Sequence, residues 1–234
     1  MPTDEDWGRL YNFDTTGDAG LVMPPRSYYF RNFFAGSWTD MAIGMIYNAC
    51  ANASDTADVV PERLDEITPA NLPHFGLSKS VGGVIEVAEN PHFVGIRGIL
   101  GGVTQLLHSP KQLGQFYPTL VNKDATTING APFQIPMEQG VSGTPFSAIA
   151  LRFVYDVLNG RLHMNINMTA SIALADDAAN TTAMETLING TSNSLASDAV
   201  WTVSKVTDFT AFYIFWPYLN NRLKLHCVGA KKFG

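Results

Sequence analysis

Hydrophobic and polar positions alternate along much of this chain with a period of two, the spacing of a half-buried strand. Met41, Ile43, Met45 and Tyr47 share one parity within the run Met41 to Cys50. An earlier run, Tyr28 to Phe34, ends before Gly36. Pro73-His74-Phe75-Gly76-Leu77 and Pro91-His92-Phe93-Val94-Gly95-Ile96 read alike, as short strands entered after a proline and adjacent in one sheet.

The sharpest local signal is Asn159-Gly160, a dipeptide suited to a two-residue hairpin turn because both positions take positive φ. Pairing outward from it sets Val157 against Leu162, Tyr155 against Met164, Phe153 against Ile166 and Leu151 against Met168, all apolar. The other face pairs Asp156 with His163, Val154 with Asn165 and Arg152 with Asn167. A second hairpin is predicted at Asn220-Asn221, with Tyr218 opposite Leu223, Trp216 opposite Leu225 and Ile214 opposite Cys227. Both faces of that ribbon are apolar, so Phe209–Val228 is expected to be covered on both sides. Pro217 belongs at an edge, a bulge or a non-bonded site there. Between the hairpins, Asp176 to Ile188 predicts one short helix, with Thr182 and Glu185 spaced as a capping box and Gly190 as a stop. Trp201 to Val206 reads as a further strand.

The predicted organisation is an N-terminal arm over residues 1–25 and a single β-sandwich domain over residues 26–234. Strands, hairpin turns and one short helix with long loops predict an all-β fold, an antiparallel two-sheet sandwich. Composition agrees. Of 234 residues 46% are hydrophobic and only 15% charged, which excludes a disordered chain and a coiled coil. No apolar run reaches the roughly 20 residues of a membrane-spanning helix, so no membrane partner is expected. The first residues have neither a basic nor an apolar stretch, so no cleaved signal peptide is expected.

A net charge of −6 argues against a nucleic-acid partner. The charges are segregated. Asp40, Asp55, Asp58, Glu62, Asp65 and Glu66 crowd the segment from Ala35 to Phe75, while Arg222, Lys224, Lys231 and Lys232 stand in an acid-free stretch from Phe209 onward. The two patches are either solvated faces or complementary surfaces between identical subunits. Cys50 and Cys227 read as buried thiols, with a bridge open to them if their strands are neighbours. The Asn-x-Ser/Thr sequons at Asn52, Asn167, Asn180 and Asn189 read as coincidence in an Asn- and Thr-rich chain.

Chemistry is sparse. Glu62, Asp65 and Glu66 would cluster on a helical turn, but the surrounding prolines favour a solvated loop. His74, His92, His108, His163 and His226 form no zinc-ligand spacing, so neither a metal nor a cofactor is expected. His74 and His92 would meet only if their strands pair. No serine elbow, phosphate loop or calcium loop is present. The expectation is a protein that is not an enzyme. A binding role remains, because Arg152, Asp156, His163, Asn165 and Asn167 line one hairpin face with the donors and acceptors that hold sugar hydroxyls. Trp38, Trp201 and Trp216 would supply a stacking platform.

Trp38 to Cys50, Phe75-Gly-Leu-Ser, Phe93-Val-Gly-Ile-Arg and the final Phe-Tyr-Ile-Phe and Leu-Lys-Leu segments resemble the jelly-roll sandwich of concanavalin A-like domains. More narrowly they resemble lectin-like structural proteins of tailed bacteriophages, over residues 26–234. The metal and sugar ligands of the lectins find no matching motif in this chain. The resemblance implies a virion component of tail, neck or capsid surface, made in the host cytoplasm and contacting identical subunits and other virion proteins. The alternative is a carbohydrate-binding module for a host-receptor glycan. A polysaccharide-degrading enzyme ranks last.

Overall fold

A computed structural model describes residues 11–12, 21–22, 27–30, 38–50, 74–78, 80–81, 84–85, 92–98, 115–121, 127–135, 139–140, 146–172, 177–189, 195–207, 209, 211–215 and 223–234. In chain order the strands are β1 (Tyr11–Asn12), β2 (Leu21–Val22), β3 (Ser27–Phe30), β4 (Asp40–Cys50), β5 (His74–Ser78), β6 (Ser80–Val81), β7 (Val84–Ile85), β8 (Phe93–Gly98) and β9 (Gln115–Val121). They continue with β10 (Thr127–Asn129), β11 (Phe133–Gln134), β12 (Gln139–Gly140), β13 (Phe146–Asp156) and β14 (Arg161–Ile172). Helix α1 (Asp177–Ile188) follows, then β15 (Leu195–Thr202), β16 (Ala211–Phe215) and β17 (Leu223–Lys232).

Two sheets form the antiparallel jelly-roll sandwich that the sequence predicts. Sheet A runs β1-β17-β4-β13-β14-β15, with β2 beside β17 and the short β12 parallel to β4. Sheet B runs β10-β9-β8-β5-β16-β3, with β11 beside β9, and β6 and β7 form a separate pair. β5 and β8 are neighbours, as their similar sequences suggest. β1 and β2, from the segment that the sequence reads as an arm, pair with β17.

The period of two divides sheet A into two faces with different duties. Met41, Ile43, Met45 and Tyr47 of β4, Ile149, Leu151 and Phe153 of β13, and Leu162, Met164, Ile166 and Met168 of β14 fill the core between the sheets. Phe75, Leu77, Val94, Ile96, Phe116 and Leu120 meet them from sheet B. Burial keeps the Tyr47 phenol neutral by pushing its pKa well above the ordinary tyrosine value. On the outer face of sheet A the same strands present small residues, Ala42, Ala148 and Ala150, with Ile46, and these pack under Met184, Leu187 and Ile188 of α1. That helical spacing places the three side chains on one stripe, and burial stabilises by about 1.5–3 kcal/mol for each large one. Gly44 lets the helix settle: a Cβ there would collide with Met184 Sδ.

Several expectations need correction. The hairpin loop holds four residues, Val157 to Gly160, because Asp156 pairs with Arg161 and Tyr155 with Leu162. Gly160 has a φ of +61°, so the Asn-Gly signal marks the left-handed residue that closes a longer turn. The register is displaced by two, and an even displacement leaves every side chain on its predicted face. The predicted ribbon at Asn220-Asn221 is not a hairpin, since β16 lies in sheet B and β17 in sheet A. Each strand satisfies its ladder in a different layer, and residues 216–222, including Trp216 and Pro217, lie outside the described residues. The expected two-sided cover of Phe209–Val228 lies largely outside the described side chains, although Phe209 itself is buried. Thr182 is inside α1 and does not cap it; its carbonyl accepts a hydrogen bond from Thr186 Oγ1 at 2.8 Å. The strand predicted from Trp201 to Val206 is β15, which ends at Thr202.

Cys50 and Cys227 lie on neighbouring strands but out of register, because Cys227 stands opposite Ile46. The offset of four residues is about 13 Å along the strand, beyond the roughly 7 Å Cα separation that a disulfide spans.

The glycines generate a prediction. Gly76 and Gly95 face each other across β5 and β8, and a methyl on Gly95 would stand 2.6 Å from Gly76 Cα. Main chain cannot yield as a methionine tip can. Gly95→Ala should therefore cost about 2–3 kcal/mol and Gly44→Ala about 1 kcal/mol in urea unfolding. The reverse order would show that the helix, rather than the strand pair, is the tight contact.

Candidate functional site

The outer face of sheet A carries the predicted polar residues, and the strands bring all five onto one side. Cross-strand rows pair Ala150 with Asn167, Arg152 with Asn165, Val154 with His163 and Asp156 with Arg161. On the third strand, Ala196 continues the first row, Asp198 the second and Val200 the third. The helix covers the inner end of this face, and the end nearer the hairpin loop is open. Val154 is 40% exposed and Val200 51%, with exposed His163 between them.

The five residues do not share one task. Arg152 is committed within the chain: its Nε and Nη2 donate to Asp40 at 3.0 and 2.8 Å. Its guanidinium carbon also stands 4.3 Å from the centroid of the Phe233 ring. The hydrogen bond to Asp40 raises the Arg152 pKa. This pair anchors the end of β17, where Phe233 N donates to the Asp40 carbonyl at 2.7 Å and Lys231 Nζ lies 4.9 Å from the same ring. Burial lowers the Lys231 pKa, with Glu185 opposing the shift.

Asp156 serves the turn. Its carboxylate accepts hydrogen bonds from Leu158 N, Asn159 N and Asn159 Nδ2 at 3.1, 3.1 and 2.6 Å. The Asn159 side chain, then its main chain, holds the carboxyl below the usual aspartate range. Asn167 is buried, and among the described residues neither its Oδ1 nor its Nδ2 has a hydrogen-bond partner. His163 is exposed on the open part, and half-buried Asn165 stands one row inward on the same face.

Other predicted site residues separate. Trp38 and Trp201 are core residues, and Trp38 Nε1 donates to the Phe209 carbonyl at 2.9 Å, so neither forms a stacking platform. His74 and His92 do not meet although their strands pair, because the antiparallel ladder sets His74 opposite Arg97. His92 packs edge-on to Phe209 with centroids 6.4 Å apart. Of the acidic segment, Asp40 is described and is spent on Arg152; Asp55, Asp58, Glu62, Asp65 and Glu66 lie outside the described residues, as does Arg222. Lys224 pairs through its main chain with Asn48 and Val22, and Lys231 and Lys232 are half-buried at the end of β17. Among the described residues no three His, Cys, Asp or Glu side chains gather at metal-binding distance. No helix among them is long and apolar enough to cross a membrane.

Sequence reasoning named Asp40 only as part of the acidic segment and missed its pairing with Arg152, the role of Phe233 and the exposure of Val154 and Val200. Asp40 shares the outward parity of Ala42 and sits diagonally from Arg152, a contact readable only once the β4–β13 register is known.

No protein-family profile matches the chain, and no curated protein sequence matches it. Among solved structures the chain is similar to Lectin I from Ulex europaeus in complex with the methyl glycoside of α-L-fucose, at 7% identity and a TM-score of 0.39, over 99% of this chain and 95% of that one. It is also similar to peanut lectin with a nonapeptide, at 10% identity and a TM-score of 0.36, over 95% of each chain. A third is the CBM40 of the Ruminococcus gnavus IT-sialidase bound to α2,3-sialyllactose, at 8% identity and a TM-score of 0.34, over 83% of this chain and 76% of that one. The fold follows from the strand pairing itself, and no residue role passes from these proteins to this chain.

The orphaned amide can be tested. Asn167→Leu should be neutral or stabilise by about 1–2 kcal/mol, since it removes two unsatisfied groups. Asn167→Asp should destabilise by about 3 kcal/mol or more. A large loss for Asn167→Leu in thermal unfolding would mean that the amide is bonded after all.

Proposed function

We propose that this chain is a non-catalytic carbohydrate-binding module whose ligand lies on the open half of the outer face of sheet A, for which a host-receptor glycan is the occupant. The row Val154–His163–Val200 carries the proposal. Two exposed valines flank an exposed imidazole, and Asn165 stands one row inward on the same face. Sugars present apolar C–H faces and hydroxyl edges together, and a surface that alternates apolar contact with single polar groups suits both. The non-catalytic part is supported by the duties of the nearby carboxylates. Glycoside hydrolysis needs two acids facing one substrate; Asp40 is held by Arg152 and Asp156 by the turn, which leaves Asp198, in the row of Asn165, as the one further acid that the described strand register sets on this face.

On a glycan array the wild-type chain should retain a defined subset of glycans. His163→Ala and Asn165→Ala should each weaken retention by about 3- to 10-fold, the worth of one hydrogen bond. A wild-type chain that retains no glycan ends this reading.

A second reading has its own observation. Leu158 is 96% exposed and Val157 63% at the tip of the β13–β14 hairpin, an apolar projection suited to contact with another protein chain. In this reading the chain is a structural component of a tailed-phage virion, at tail, neck or capsid surface, joined to identical subunits and other virion proteins through that tip. Sedimentation velocity should then show an oligomer that Leu158→Asp dissociates. A wild-type chain that stays monomeric at high concentration contradicts it.

A further inference from the structure

Arg97 on β8 belongs to neither reading, and its surroundings are unlike those of Arg152. It projects on the outer face of sheet B, with the parity of Phe93 and Gly95 and opposite to that of core-facing Val94 and Ile96. It is only 9% exposed. Its Nε donates to Tyr117 Oη at 3.2 Å, and its guanidinium carbon stands 5.6 Å from the centroid of the Tyr117 ring. Among the described residues no carboxylate pairs with it, whereas the more exposed Arg152 holds Asp40 with two hydrogen bonds. A buried guanidinium without a counter-charge is unfavourable, and a neutral phenol supplies a hydrogen bond but no charge.

The sheet places the neighbours in one row: His74 on β5, Arg97 on β8 and Tyr117 on β9. His74 and Tyr117 are half-buried, so two flat rings that each keep part of their surface in solvent stand on either side of the arginine in this row. The Phe93 ring lies against His74 edge-on, with centroids 5.2 Å apart, and closes over the Gly76–Gly95 pair. We propose that Arg97 anchors a second binding site, on the outer face of sheet B, that takes the carboxylate group of a small ligand between His74 and Tyr117. The paired terminal N–H groups of a guanidinium match the two oxygens of a carboxylate. Tyr117 Oη accepts from Arg97, which leaves its own proton to donate to the same anion. A phosphate group brings a charge of about −1.5 to −2 at neutral pH, and among the described residues no second Arg or Lys stands in this row.

The test is titration of the whole chain with sodium acetate and sodium D-glucuronate, followed by thermal unfolding and calorimetry. Sodium chloride at matched ionic strength and D-glucose serve as controls, with inorganic phosphate as a further arm. Both carboxylates should raise the unfolding midpoint and the controls should not. Arg97→Gln should weaken the response at least about tenfold, the worth of charge-assisted hydrogen bonds. Tyr117→Phe, which keeps the charge, should weaken it by about 3- to 10-fold and decides the matter if Arg97→Gln does not fold. No response in the wild type, or an equal response in the variants, overturns the proposal. A larger response to phosphate than to either carboxylate overturns the ligand class.

Discussion

The described structure depends on sheet A being covered on one face along β4, β13 and β14 and on the other only in part. The side-chain period of β4 and β13 sends large residues toward sheet B and small ones outward. Ala42, Gly44, Ala148 and Ala150 make a shallow bed on which Met184, Leu187 and Ile188 bring the helix down. Bulkier outward residues would hold the helix off and leave both partners wet. The helix has 12 residues and is about 18 Å long, while β13 and β14, with 11 and 12 residues, run about twice as far. The uncovered remainder is where polar residues and exposed valines take over. The open half of the outer face is thus a consequence of the mismatch between a short helix and long strands.

Charge is scarce, and its placement follows the same division. At the boundary between covered and open face, Asp40 and Arg152 neutralise each other and clasp Phe233, so that the end of β17 is fastened to the start of β4. A residue that looks like a ligand in the sequence is therefore part of the frame. Arg97 is the exception: it is the more deeply buried arginine, and it has a phenol where Arg152 has a carboxylate.

Much of the fold is legible in the sequence, and the failures share a cause. Parity is local, so the core faces of β4, β13 and β14 follow from the alternation of side chains alone, and even a register displaced by two leaves them intact. Partner choice is not local. Ile214 and Cys227 look like opposite members of one ribbon, yet their strands join different sheets, since an apolar strand carries no mark of the layer it will enter. His74 and His92 are kept apart for a related reason, because similar motifs on antiparallel neighbours end at opposite ends of the ladder. The candidate site is half legible. The five residues do share one face, but the pairing of Arg152 with Asp40 spans 112 residues, and nothing in the alternation of β14 sets buried Asn167 apart from exposed His163.

The claim that the open half of sheet A is the binding face is most directly tested by mapping amide chemical shifts while a retained glycan is added. The account predicts that Val154, His163, Asn165 and Val200 move together and saturate, while amides beneath the helix at Ala148 and Ala150 and those of sheet B stay still. Shifts confined to sheet B, or spread evenly through the chain without saturation, would contradict it.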